Sequence, residues 1–176
     1  MRLSSIAKVV AFAGLVMASV SMPGRALAQS GDKVLAPADV QKLFPEGQRL
    51  WYKGQAAPAQ LRNSGGVKFA DGSYVLATLV DTSGYSSDVQ AKYQAYFIAE
   101  AAIKIGGHDL APGIYGVGFI GDNKFVVTDV GAHDVFTVDS STDDAMKRPR
   151  PLQVTAANDG GGFRLYAGKR YVTFSK

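Results

Sequence analysis

The chain of 176 residues contains no cysteine. This absence excludes disulfide bonds, a thiolate nucleophile, cysteine metal sites and the acylated cysteine of a lipoprotein. Glutamate occurs only at Glu46 and Glu100, so a glycosidase with paired carboxylates would have to use aspartates. The chain also lacks a P-loop, a dinucleotide-binding fingerprint and a Gly-x-Ser-x-Gly nucleophile elbow. No common enzyme signature is therefore present.

The N-terminal segment has the pattern of a cleavable signal peptide. Arg2 and Lys8 precede the apolar run Val9–Val20, and Ala26 and Ala28 form an A-x-A cleavage pattern. The run is short for a membrane span, which needs about 20 residues. No Arg-Arg pair precedes it, which favours Sec export over twin-arginine export. We predict a periplasmic or secreted protein that is not a lipoprotein and that contacts the membrane only through this peptide before cleavage.

The predicted boundaries are a signal peptide at 1–28, a flexible leader at 29–36 and a single β-domain at 37–176. Removal of the signal peptide takes away three basic residues and lowers the net charge from +4 to about +1. Such a balance gives no indication of nucleic-acid binding, and we predict no nucleic-acid partner.

The pattern after the leader predicts one short helix followed by strands. Pro37 suits the first turn of a helix, and Pro45 ends the pattern, which predicts a helix over 37–44. Beyond it, turn residues such as Asp71-Gly72 recur at intervals of about ten residues between runs rich in β-branched and aromatic residues. This rhythm predicts an all-β fold, either an antiparallel sandwich or a small barrel.

One segment is ambiguous between helix and strand. Over 87–102, the spacing of the apolar residues and the alanines fits a helix, and the aromatic and β-branched content fits a strand. We predict a strand from about Tyr93 to Ile105 with a bend near Ala101.

Two His-Asp pairs, His108-Asp109 and His133-Asp134, contain both histidines of the chain. A hairpin with its tip at Asp122-Asn123 would pair Pro112 with His133 and bring both His-Asp pairs to the same end. The two imidazoles would then be candidate metal ligands, and the four side chains would be candidates for acid–base catalysis. The alternative is turn chemistry, since glycine and aspartate favour turns.

Two further groups are candidates for ligand binding. The aromatic residues Trp51, Tyr52 and Tyr115 could contact a ligand, or they could close one end of the core. The exposed basic run at Lys147, Arg148 and Arg150 could form a rim for an anion or an acidic partner, or it could be a solvated connector.

The stretch IKIGGHDLAPGIYGVGFI resembles a hairpin found in uncharacterised small exported bacterial β-proteins. The matching residues are Ile105, Gly106, Gly107, Leu110, Pro112, Gly113 and Tyr115. The resemblance extends over 93–174 and implies export, a β-fold and a strand over 93–105. It implies no catalytic residue.

These patterns favour an exported, non-enzymatic β-domain that binds a small ligand or a cell-envelope protein. The alternative is a metal-dependent or acid–base hydrolase that uses the two His-Asp pairs. No cofactor is predicted, and a metal ion at His108 and His133 belongs only to the alternative.

Overall fold

The computed structural model describes residues 31–44 and 47–176 and shows two antiparallel sheets packed face to face. The fold is an all-β sandwich, one of the two predicted architectures, and the barrel alternative is wrong. The predicted signal peptide lies outside the described residues. No helix within the described ranges is long and apolar enough to cross a membrane.

The first sheet is the larger one and contains eight strands. In spatial order its strands are β1 (Lys33–Leu35), β3 (Gln55–Lys68), β4 (Tyr74–Val80), β5 (Ala95–Ala99), β8 (Gly113–Ile120), β9 (Lys124–Thr128) and β10 (Asp134–Asp139). β2 (Arg49–Tyr52) pairs with the first part of β3 and forms a hairpin with it.

The second sheet contains six strands. In spatial order they are β12 (Arg150–Ala156), β13 (Phe163–Gly168), β14 (Arg170–Ser175), β6 (Ile103–Ile105) and β7 (His108–Leu110), and β11 (Ser141–Thr142) pairs with β14. The chain thus enters the second sheet after β5 and returns to the first sheet at β8.

The space between the sheets is a closely packed apolar core. Alternate residues point inward, as a period of two requires, and fully buried examples are Val67, Phe97, Phe125 and Phe174. The cavity between the sheets, beside Val117, has a volume of only about 10 Å³. A space of this size holds at most a single water molecule, so this cavity cannot hold an apolar ligand.

A third, partial layer covers the outer face of the first sheet. It consists of α1 (Pro37–Gln41), α2 (Ser87–Lys92) and the β2–β3 hairpin. The predicted helix over 37–44 exists but is shorter, and α2 was not predicted as a separate helix.

Two expectations about local structure need correction. The leader is not flexible throughout, because Lys33–Leu35 forms β1 and Val34 pairs with Val67. The ambiguous segment contains both alternatives: α2 comes first, and the predicted strand is divided into β5 and β6 by the break at 100–102.

The predicted hairpin with its tip at Asp122-Asn123 is present, but its register is shifted by one residue. The β8–β9 ladder ends where Gly116 pairs with Thr128, so Pro112 does not face His133. The prediction places both His-Asp pairs on one continuous meander, whereas β7, which carries the first pair, belongs to the second sheet.

The Leu-Ala-Pro-Gly-Ile-Tyr motif connects the two sheets. Leu110 is buried in the core at the end of β7. The Tyr115 hydroxyl donates a hydrogen bond to the Ala111 carbonyl at 2.9 Å, and a Cβ on Gly113 would lie 2.9 Å from that hydroxyl. Tyr115 therefore holds the connection between the two sheets in place. This structural role explains the presence of Tyr115 without a bound ligand.

Candidate binding surface

The first His-Asp pair lies on β7, at the edge of the second sheet. The His108 ring stacks on Phe136 of β10, with 5.3 Å between ring centroids. Asp109 forms an ion pair with Lys104 on the neighbouring strand β6. Both side chains therefore have contacts that do not involve the second His-Asp pair.

The second pair lies where the turn between β9 and β10 ends, with His133 in the turn and Asp134 as the first residue of β10. Asp129 accepts hydrogen bonds from the backbone N–H groups of Gly131 at 2.8 Å and His133 at 3.0 Å, and His133 Nδ1 lies 3.0 Å from Asp129 Oδ2. These hydrogen bonds, that from the His133 backbone foremost, hold the pKa of Asp129 below its usual value. Asp134 instead pairs with Lys92 at 2.7 Å.

The geometry of both pairs supports the turn interpretation. Gly106, Gly107 and Ala132 adopt positive φ, and each lies at the turn that precedes a histidine. Within the described ranges, no group of three or more histidine or carboxylate side chains is placed to hold a metal ion. The metal and hydrolase hypotheses thus gain no support from the geometry.

The basic run precedes and begins β12 on the second sheet. Lys147, Arg148 and Arg150 are all exposed. The connector before them is held by Asp143, which accepts a hydrogen bond from the Tyr166 hydroxyl at 3.1 Å. This arrangement fits the interpretation of the basic run as a solvated connector.

Tyr52 is wholly buried and belongs to a cluster of four tyrosines with Tyr85, Tyr93 and Tyr96. Its ring stacks on Tyr93 with 3.7 Å between centroids. Because the Thr128 hydroxyl donates its proton to the Gly116 carbonyl, Tyr52 is the donor in the 2.6 Å bond to Thr128. Tyr52 therefore attaches the hairpin to the sheet, and its side chain is buried between the two.

Two glycines on β8 make this attachment possible. A Cβ on Gly116 would lie 2.5 Å from the Tyr52 ring, and a Cβ on Gly118 would collide with the Lys92 carbonyl at the end of α2. Only glycine fits at both places. The glycines at alternate positions of GIYGVGF are the sequence signal for this close packing.

Tyr93 differs from Tyr52 in its hydrogen bonding. Its hydroxyl is buried and has no hydrogen-bond partner among the described residues, and burial raises its pKa above the ordinary tyrosine value. A buried hydroxyl without a partner is a net cost to stability.

The Tyr93→Phe substitution should therefore be neutral or should raise the free energy of unfolding. Tyr52→Phe should lower it by about 1 to 2 kcal/mol, because it leaves Thr128 without its donor. Urea unfolding followed by circular dichroism measures both effects. A loss for Tyr93→Phe as large as that for Tyr52→Phe would contradict this account of the cluster.

The opposite face of the hairpin is open to solvent. Trp51 is 59% exposed and lies opposite Ala56, while Arg49 lies opposite Pro58. We call these four residues the hairpin face. The Arg49 guanidinium lies across it and donates to the Ala56 carbonyl at 2.6 Å. Among the aromatic residues that the structure describes, Trp51 alone is exposed.

The tip of the hairpin is held in place. Lys53 and Gly54 both have positive φ, as a tight two-residue turn requires. The Lys53 backbone N–H donates to the Val130 carbonyl at 2.7 Å, and its ammonium donates to the Gly131 carbonyl at 3.0 Å. The hairpin face is therefore a rigid surface, because its tip and its inner side are both fixed.

An open trough adjoins the base of the hairpin. Its volume is about 550 Å³, and it is lined by Gln41, Phe44, Gly47, Ala59, Gln60, Leu61 and Arg62. Ala59 donates to the Gln48 carbonyl at 3.2 Å at the start of the hairpin. The β3 residues that line the trough, 59–62, directly follow Pro58 of the hairpin face along the strand, so the trough begins where the hairpin ends.

Comparison of the chain with protein-family models, curated proteins and solved structures finds no match. The hairpin face and the trough therefore have to be interpreted from their own chemistry.

Proposed function

We propose that this protein is an exported, non-enzymatic β-sandwich that binds a cell-envelope partner through the hairpin face. The observation that carries the proposal is the 59% exposure of Trp51 on a hairpin that is fixed on its other side. Tryptophan and arginine dominate the energetics of binding surfaces, and Arg49 lies beside Trp51 on the same face.

The rigidity of the hairpin supports this function physically. A backbone that is already fixed loses little conformational entropy when a partner binds, so more of the contact energy contributes to affinity. The interior of the sandwich offers no comparable site, because the cavity described between the sheets is so small.

Photo-crosslinking tests the proposal directly. A benzophenone amino acid placed at Pro58, on the hairpin face, should form covalent adducts with a defined envelope component when the full chain is expressed in a bacterium. Adding Trp51→Ala to the same protein should reduce the yield at least tenfold, which corresponds to about 1.4 kcal/mol of binding energy.

The same amino acid at Thr173 serves as the matched control, because Thr173 is exposed on the outer face of the second sheet. Adducts that form equally from Thr173, or that persist in the Trp51→Ala protein, would show that the hairpin face is not the binding surface.

A further inference from the structure

We infer that the hairpin face and the trough together bind an extended anionic polysaccharide of the cell envelope. This inference rests on the proposed function and names the partner of the same surface. We call the combined surface the strip; along β3 it extends from Ala56 to Arg62. At about 3.3 Å per residue the strip is at most roughly 20 Å long, enough for several sugar rings in a row.

The charge distribution along the chain indicates an anionic partner. Residues 40–68 contain five basic side chains and one acidic side chain, Glu46. Four of the basic residues lie on or next to the strip and are exposed: Lys42, Arg49, Lys53 and Arg62. Positive charge is thus concentrated in one region of a protein whose net charge is small, and such concentration attracts anions.

The four strip residues also differ from several lysines elsewhere in the protein. Lys92, Lys104, Lys124 and Lys176 each form an ion pair with an aspartate. Within the described ranges, none of the four strip residues lies within ion-pair distance of a carboxylate. Exposed guanidinium and ammonium groups of this kind can bind a carboxylate or another anionic group of a ligand.

The surroundings of Trp51 suit a sugar ring. Its cross-strand neighbour is Ala56, and Pro58 lies diagonally opposite, so no large side chain on β3 covers the indole. A flat, open aromatic face packs well against the apolar C–H face of a pyranose, while the hydroxyl groups at the ring edge stay in water.

The trough supplies polar groups for the next rings of the same chain. Gln41 offers an amide that both donates and accepts hydrogen bonds, as sugar hydroxyls require. The Gln60 amide can donate as well, and its oxygen already accepts a hydrogen bond from Asn63 at 3.3 Å. Arg62 offers a planar guanidinium that can hold a carboxylate with two parallel hydrogen bonds. The trough is open along the surface, which suits a polymer better than a compact ligand.

Binding of oligogalacturonate, which carries one carboxylate on each ring, tests the inference. Trp51 is the sole tryptophan of the chain, so its fluorescence reports directly on the strip. We expect a saturable blue shift in its emission and, by calorimetry, affinity at least tenfold higher than for the methyl-esterified neutral form. Trp51→Ala and Arg62→Gln should each weaken the calorimetric affinity at least tenfold.

Arg148→Gln is the matched control, because it removes the same charge from the exposed connector of the second sheet; it should leave the affinity within twofold. Three results would overturn the inference: no saturable binding, equal binding of the neutral ester, or equal binding of an oligoglutamate of the same charge. The last would show that charge alone, or a peptide partner, explains the surface.

The two proposals can be distinguished by their separate experiments. If crosslinking from Pro58 still depends on Trp51 while oligogalacturonate does not bind, the polysaccharide is excluded and the proposed function stands. If both experiments fail, the proposed function fails too.

Discussion

The Tyr52→Ala substitution is expected to lower the free energy of unfolding by about 4 kcal/mol. The substitution removes a wholly buried ring that stacks on Tyr93, and it breaks the hydrogen bond to Thr128. It also leaves a cavity above Gly116, where the backbone has no side chain to fill the space. Urea unfolding monitored by circular dichroism gives the change in stability.

The neighbouring residue provides a matched control for this experiment. Trp51 lies on the same strand but is exposed on the opposite side, so Trp51→Ala should change stability by no more than about 0.5 kcal/mol. Tyr52→Ala should therefore lower the free energy of unfolding, whereas Trp51→Ala should weaken binding and leave stability nearly unchanged. Similar losses of stability in both would mean that Trp51 is packed in solution and would undermine the proposed binding surface.

The Gly118→Ala substitution is expected to cost about 3 kcal/mol, although it adds a single methyl group. That methyl would overlap the Lys92 carbonyl, and backbone atoms cannot move aside as a flexible side chain can. Relief of the overlap requires α2 to shift away from β8, which also disturbs Tyr93 at the end of that helix.

Gly121→Ala is the control for Gly118→Ala. Gly121 lies at the turn after β8, and a Cβ there would have no neighbour within 4 Å. The change in stability should stay within about 0.5 kcal/mol, as measured by thermal unfolding of both variants. If Gly118→Ala were equally neutral, α2 would not be packed against β8 as described.

The fold class could be predicted from the sequence because turn residues and β-branched runs are local signals. The turn around Asp122 follows from such local signals, although the register of its hairpin is one residue from the predicted one. Which sheet a strand joins depends on contacts between distant residues. The sequence before Leu110 does not reveal that β7 pairs with β6 in the second sheet. The predicted proximity of the two histidines required both of them to lie on one sheet.

The candidate site was only partly accessible to sequence reasoning. Alternation along a strand already requires that adjacent residues such as Trp51 and Tyr52 face opposite sides, so they could not both contact one ligand. Which of the two is buried depends on Gly116, which is distant in sequence and leaves room for the Tyr52 ring. The concentration of basic residues over 40–68 was visible in the sequence but gains its meaning only from the exposed face beside it.

The two sides of the β2–β3 hairpin differ in how well they tolerate mutation. Residues that point inward, Leu50, Tyr52 and Ala57, determine whether the hairpin stays attached. Residues of the hairpin face contribute little to that attachment, so mutation can alter them without loss of the fold. Selection, or a library randomised at Arg49, Trp51, Ala56 and Pro58, can therefore change the chemistry of this surface while the fold is kept.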